Sequence, residues 1–143
     1  MIGALIGMKQ MNDNYFIDTN VLIYALGDDI PKKDIEIGLI SVQAMISTQI
    51  ISEMANVMFR KLKLDYPDIR TVINKLMEKM ELRIITAHTI QLALSIAERY
   101  GYSWFDSQVI ASALENDCSM LYSEDLQHGQ MIEDRLRISN PFL

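Results

Sequence analysis

The feature that most constrains this chain is a repeated change of hydrophobic period. Runs of three or four apolar, β-branched or aromatic residues alternate with longer stretches whose apolar residues recur every three or four positions. Tyr15-Phe16-Ile17 is the first short run, and it stops at Asp18-Thr19-Asn20, a cluster of helix N-cap residues. Val21 to Leu26 then reads as a helix, stopped by Gly27 and the polar DDIPKK stretch. From Lys32 to about Gln43, Ile35, Leu39 and Val42 fall at helical spacing. Ala44-Met45-Ile46 reads as a short strand, and Ser47-Thr48 as a start signal for a helix carrying Ile51, Met54, Met58 and Leu62. A further helix runs from about Asp68 to Met80 with Ile69, Val72, Ile73 and Leu76, and Leu82–Ile85 reads as a strand. Ile90, Leu94 and Ala97 mark a helix that Gly101 stops, and Ser103 opens another with Phe105, Val109 and Ala113 on one face. Met120-Leu121-Tyr122 and Leu136-Arg137-Ile138 are the last two strands.

Short apolar strands separated by helices predict an α/β fold: a doubly wound, largely parallel five-stranded sheet flanked by helices. No repeat, low-complexity tract or linker divides the 143 residues, so the expectation is one domain over 14–143 after an N-terminal extension, 1–13. The first eleven residues lack the basic region and cleavage site of a signal peptide, and no apolar run approaches the roughly 20 residues of a membrane span. A soluble cytoplasmic protein is expected. Half of the residues are apolar, enough for a sizeable core, and a single cysteine, Cys118, excludes an internal disulfide framework and a Cys-rich zinc site. Thirteen Lys and Arg against nineteen Asp and Glu give a net charge of −6, which argues against a surface that is a basic glove for nucleic acid. It does not argue against a nucleic-acid enzyme that recruits metal ions.

Sheets of this kind place their sites beyond the carboxyl ends of the strands. Asp18 ends the first predicted strand, Asp125 follows the Met120–Tyr122 strand, Asp106 starts a helix, and Glu53 is expected in the first turn of another. Brought together, such acids repel: two carboxylates about 5 Å apart cost roughly 3 kcal/mol at an effective dielectric near 20. Either some protonate, or a cation resolves the conflict. Oxygen ligands without Cys or paired His select Mg²⁺ or Mn²⁺ over Zn²⁺. Taken singly, each acid also has a plain structural use. Asp18 and Asp106 suit N-caps, Glu53 suits the helix dipole at roughly 0.3–1 kcal/mol, and Asp125 and its neighbour Glu124 suit a loop.

The surrounding text separates these readings. DTNVLIYAL at 18–26, STQIISEMANV at 47–57, WFDSQVIASA at 104–113 and YSEDLQHG at 122–129 occur in that order. Together they resemble the PIN-domain family of metal-dependent ribonucleases, and within it the VapC-type toxins of bacterial toxin–antitoxin pairs, over about Tyr15 to Phe142. The resemblance implies that Asp18 and Asp106 are the central metal-binding acids, with Glu53 and Asp125 completing the cluster. Asn20 and Ser123 match polar positions beside it. It further implies Mg²⁺-dependent hydrolysis of RNA, an antitoxin protein as partner, and a homodimer. No Ser-His-Asp or Cys-His arrangement competes for the chemistry.

Other residues carry less. His88 and His128 have no metal-ligand spacing and read as a helix-start and a turn residue, and Cys118 as a small buried one. Trp104 and Phe105 are able to stack a base, but their place at a helix start reads first as an anchor. Residues 60–83 hold seven of the thirteen cations against four acids, and residues 100–134 hold seven acids and no cation. That asymmetry fits a phosphate-tracking surface beside an acidic site, although solvated helix faces explain most of these cations as well. The competing readings are a nuclease of the same fold for RNA maturation or structured DNA, a non-catalytic binding module, and a receiver-like phosphoacceptor. The last needs a lysine on the final strand, where this chain has Leu136-Arg137-Ile138.

Overall fold

A computed structural model describes residues 14–143, so the expected extension 1–13 lies outside the described residues. Six strands form one sheet among them: β1 (Tyr15–Ile17), β2 (Ala44–Ser47), β3 (Glu81–Arg83), β4 (Met120–Tyr122), β5 (Met131–Ile132) and β6 (Leu136–Ser139). Their spatial order is β3-β2-β1-β4-β6-β5. The five predicted strands are all present and mutually parallel, which makes the sheet doubly wound about β1. The sheet has one strand more than predicted. β5 is a two-residue antiparallel addition to the β6 edge, and a run so short has no period to detect.

Strand β1 is central because its sequence tolerates burial on both faces. Phe16 and Ile17 are fully buried, and β2 is buried along its whole length. β1 hydrogen-bonds to β2 on one side and to β4 on the other, so the crossovers diverge between β1 and β4. That divergence opens a crevice at the carboxyl ends of these strands.

The helices are α1 (Thr19–Leu22) running into a 3₁₀ turn (Ile23–Leu26), α2 (Ile30–Leu39), α3 (Thr48–Arg60), α4 (Tyr66–Lys79), α5 (Ala87–Tyr100) and α6 (Trp104–Glu115). Their starts follow capping chemistry: Asp18, Asp29, Ser47, Asp65, Thr86 and Ser103 each accept a first-turn backbone N–H through the side chain. Gly101 ends α5 at φ 76°, a left-handed position where a side chain would be strained. None of the described helices is long and apolar enough to cross a membrane.

Three predicted faces differ from the structure. Helix α2 begins at Ile30 and ends at Leu39, because Asp29 caps it and Pro31 is compatible with the first turn, so DDIPKK is a helix start and not a linker. Its fully buried residue is Glu36, while Ile35 is exposed and Val42, past the helix end, is more exposed still. On α5 the buried residues are Thr89, Ala93 and Ile96, and Leu94 faces outward. Helix α6 is buried on all sides from Ser107 to Leu114, whereas Phe105, expected on its buried face, is 63% exposed. With Ser107, Gln108 and Ser112 buried beside the apolar residues, this helix has no single buried face for a period to assign.

Candidate active site

The crevice at the β1–β4 divergence is a cleft of about 340 Å³, and Asp18, Glu53, Asp106 and Asp125 all line it. Each comes from a different element: Asp18 from the β1–α1 junction, Glu53 from α3, Asp106 from α6 and Asp125 from the loop after β4. Two assignments within this set need correction. Glu53 lies in the second turn of α3, since Ser47 caps that helix and its first turn holds no acid. A dipole role for Glu53 therefore loses its basis. Asp106 is not the cap of α6 either; Ser103 is, and its Oγ accepts the Asp106 backbone N–H at 3.3 Å.

Asp18 is the most constrained of the four. Its Oδ1 accepts the Thr19 backbone N–H at 2.8 Å, and its Oδ2 accepts from Ser123 Oγ at 2.9 Å and Asn20 Nδ2 at 3.3 Å. Only 5% of the residue is exposed. Burial pushes its carboxyl from 3.8 up to about 7, against the pull of the Ser123 and Thr19 hydrogen bonds and with further push from the Glu53 and Asp106 charges. Glu53 is shifted upward too, first by burial and also by Asp106, although Gln49 and Thr19 hydrogen bonds oppose the shift. Asn20 and Ser123 thus stand where the motif resemblance put them. Asn20 also accepts the Glu124 backbone N–H at 3.0 Å through Oδ1, tying the loop after β4 to the start of α1.

Several cleft residues carry no local sequence signal. Thr19 Oγ1 donates to Glu53 Oε2 at 3.3 Å, and Gln49 Nε2 donates to both Glu53 Oε1 at 2.9 Å and the Phe105 carbonyl at 3.1 Å. Lys61 is the cation among the lining residues. At the rim, Lys32 donates to Glu124 Oε2 at 2.7 Å and to the Tyr24 hydroxyl at 3.0 Å, while Tyr24 donates to Glu124 Oε1 at 2.7 Å. The Lys32 ammonium also lies 4.7 Å and 5.0 Å from the Tyr24 and Phe142 ring centroids. Burial opposes ionisation of Glu124, but these hydrogen bonds prevail and hold its pKa below the ordinary value. Lys32 and Glu124 are 92 residues apart, so only the fold brings them together. Glu124, held in this clamp, is sequestered from its neighbour Asp125, which is exposed and has no side-chain hydrogen bond among the described residues.

The acid oxygens of Asp18 and Glu53 are met by neutral donors, and no lysine or arginine pairs with any of the four acids among the described residues. Such a donor set suits a hard divalent cation. The four share a cleft without being drawn into a closed shell: among the described residues, no three His, Cys, Asp or Glu side chains are grouped tightly enough to hold a metal ion as they lie.

An acid-lined cleft at the switch point of a parallel α/β sheet defines a class of protein, and the comparisons specify the family. The PIN domain profile matches residues 15–131. The chain belongs to the PIN-domain family, a nuclease fold. Among solved structures it is similar to Mycobacterium tuberculosis VapC20, described as a sarcin-ricin loop cleaving toxin, with a TM-score of 0.62, 16% identity and coverage of 78% of this chain and 90% of that one. It is also similar to the DNA-bound VapBC of Salmonella typhimurium, with a TM-score of 0.64, 13% identity and coverage of 90% and 98%. PAE2754 of Pyrobaculum aerophilum gives 0.55, 19% identity and coverage of 80% and 82%. At these identities the likeness is one of fold. A search of curated proteins finds no relative of the sequence.

Proposed function

We propose that the protein is a metal-dependent endoribonuclease, the toxin of a toxin–antitoxin pair. The observation that carries this reading is the meeting of Asp18, Glu53, Asp106 and Asp125 in one cleft of a PIN fold, with Asp18 buried and no cation paired to it. These four acids would hold Mg²⁺, with Mn²⁺ as a substitute. The bound metal would polarise the phosphoryl oxygens and lower the pKa of an attacking water. The protein's own contribution is positional. Ser123, Asn20 and the Thr19 N–H fix both oxygens of Asp18, and Gln49 and Thr19 fix those of Glu53. Asp125 has no such restraint and lies exposed at the cleft. Lys61 is placed to meet a substrate phosphate.

The fold shared with a protein described as a sarcin-ricin loop cleaving toxin supports RNA as substrate, and the fold shared with DNA-bound VapBC supports an antitoxin as partner. On this reading the protein acts in the cytoplasm, and a homodimer is its expected assembly. The test is cleavage of total RNA with and without Mg²⁺ by the wild type and by Asp106→Asn, with the product ends mapped. Cleavage should require both the metal and Asp106. Equal cutting in EDTA, or an active Asp106→Asn protein, sinks the mechanism. Preference for branched DNA or for a structured RNA precursor would replace the toxin reading with a maturation or repair nuclease.

A further inference from the structure

Beside the acid cleft runs a second groove of about 400 Å³, lined by Gln49, Ser52, Glu53, Asn56 and Phe105. It shares Glu53 with the cleft, so the two adjoin. We propose that this groove is a nucleobase subsite, which holds the unpaired base next to the phosphate that the acids act on. The proposal rests on the nuclease reading above and adds how the strand is held beside the acids, by one unpaired base.

Three features point to a base. Phe105 is 63% exposed, although residues 107–114 of its helix are buried, so its ring is not needed to anchor α6. A solvent-facing ring of this kind offers a stacking surface, and every base has a π-face to place on it. Ser52 and Asn56 are exposed across the groove, one helical turn apart on the same side of α3. Neither side chain has a hydrogen-bond partner among the described residues, and an amide presents the donor and acceptor that a base edge requires. Finally, Gln49 Nε2 donates to both the Phe105 carbonyl and Glu53 Oε1, which ties the backbone that carries the ring to the edge of the acid cleft.

Arg60, a further turn along α3 from Asn56, forms no ion pair among the described residues and suits the next phosphate. An apolar peptide side chain would fill the space over Phe105 but leave Asn56 and Ser52 unmatched. A duplex would not fit either, because its bases are stacked and their edges paired.

The experiment measures binding apart from cleavage. Fluorescein-labelled RNA hexanucleotides of A, C or U are titrated with the full chain in EDTA at low salt and followed by anisotropy. Phe105→Ala should weaken binding about tenfold, and Phe105→Trp should restore it. Asn56→Ala should flatten the differences among the three hexanucleotides, and a blunt duplex should bind at least about tenfold more weakly than a single strand. Circular dichroism and melting confirm that each variant is folded. Wild-type affinity in Phe105→Ala overturns the subsite. So does equal binding of the duplex, an absence of hexanucleotide binding by the wild type, or an effect of Phe105→Ala confined to self-association in sedimentation. A chain that binds through Phe105 yet never cuts RNA would refute the nuclease reading and leave the subsite standing. A chain that cuts with indifference to Phe105 would do the reverse.

Discussion

Glu36 offers a test of the energetics away from the acid cleft. It is fully buried on α2, both carboxyl oxygens lack a hydrogen-bond partner, and burial raises its pKa from 4.5 to about 7 despite the pull of Lys33 and Lys79. A folded-state pKa above the unfolded value means that the native state holds the proton longer. The associated stability is complete below pH 4.5 and is lost as pH rises through 7. At about 1.36 kcal/mol for each pH unit between the two values, ionised Glu36 costs the fold roughly 3 kcal/mol at pH 8. Glu36→Gln resembles the protonated acid in shape and has no charge to lose. The variant should therefore match the wild type near pH 4.5 and exceed it at pH 8 by about 2–3 kcal/mol. For a domain of this size that is a rise in Tm of about 7–10 °C. Urea and thermal unfolding in EDTA, at pH 5 and pH 8, measure the change, and comparison within each pH cancels other titrating groups. Glu36→Leu should be at least as stable as Glu36→Gln at pH 8, because it removes the buried polar atoms as well. If Glu36→Gln alters stability equally at both pH values, the Glu36 pKa is the same in the folded and unfolded chain and the reasoning fails.

Lys32→Met should leave the melting temperature near wild type but reduce Mg²⁺-dependent cleavage several-fold, because Glu124 and the loop bearing Ser123 and Asp125 lose the charged one of their tethers. Steady-state kinetics showing a fall in kcat larger than the change in KM would check this, and unchanged kinetics would refute it. Cys118 is 4% exposed, and burial pushes its thiol up to about 12. Native protein at pH 8 should thus resist Ellman's reagent while urea-unfolded protein reacts fully, and rapid stoichiometric labelling of the native form would contradict the structure.

What was legible in the sequence follows from what a local pattern encodes. Four of the five parallel strands were readable because β1, β2, β4 and β6 are short, mostly apolar runs, and the cap signals beside them placed the acids at element ends. Asp18 shows the strength of this, since its cap role and its place at a strand end are both local facts. Glu53 was placed one turn too early although the start signal Ser47-Thr48 was read: counted from Ser47 it lies in the second turn, and that turn decides whether the dipole matters. Lys32 and Glu124 were out of reach, because neither has a local pattern and their contact spans 92 residues. Phe105 was grouped on one face with Val109 and Ala113 because it shares their spacing, and those two are buried. Helix α6, however, emerges from the core at its first turn, and a period cannot report where a helix leaves the interior.

The sheet order has a consequence for the timing of synthesis. β1 is among the first described residues, yet one of its two neighbours is β4, and β4 is in turn flanked by β6 near residue 139. The partner that fixes Asp18, Ser123, lies 105 residues downstream. A ribosome making this chain therefore exposes Asp18, with only Thr19 and Asn20 to hold it, long before Ser123 exists, and the nascent chain cannot assemble the cleft by halves. Truncated or stalled products should be inert, and competence should arise in one step as the last strands emerge.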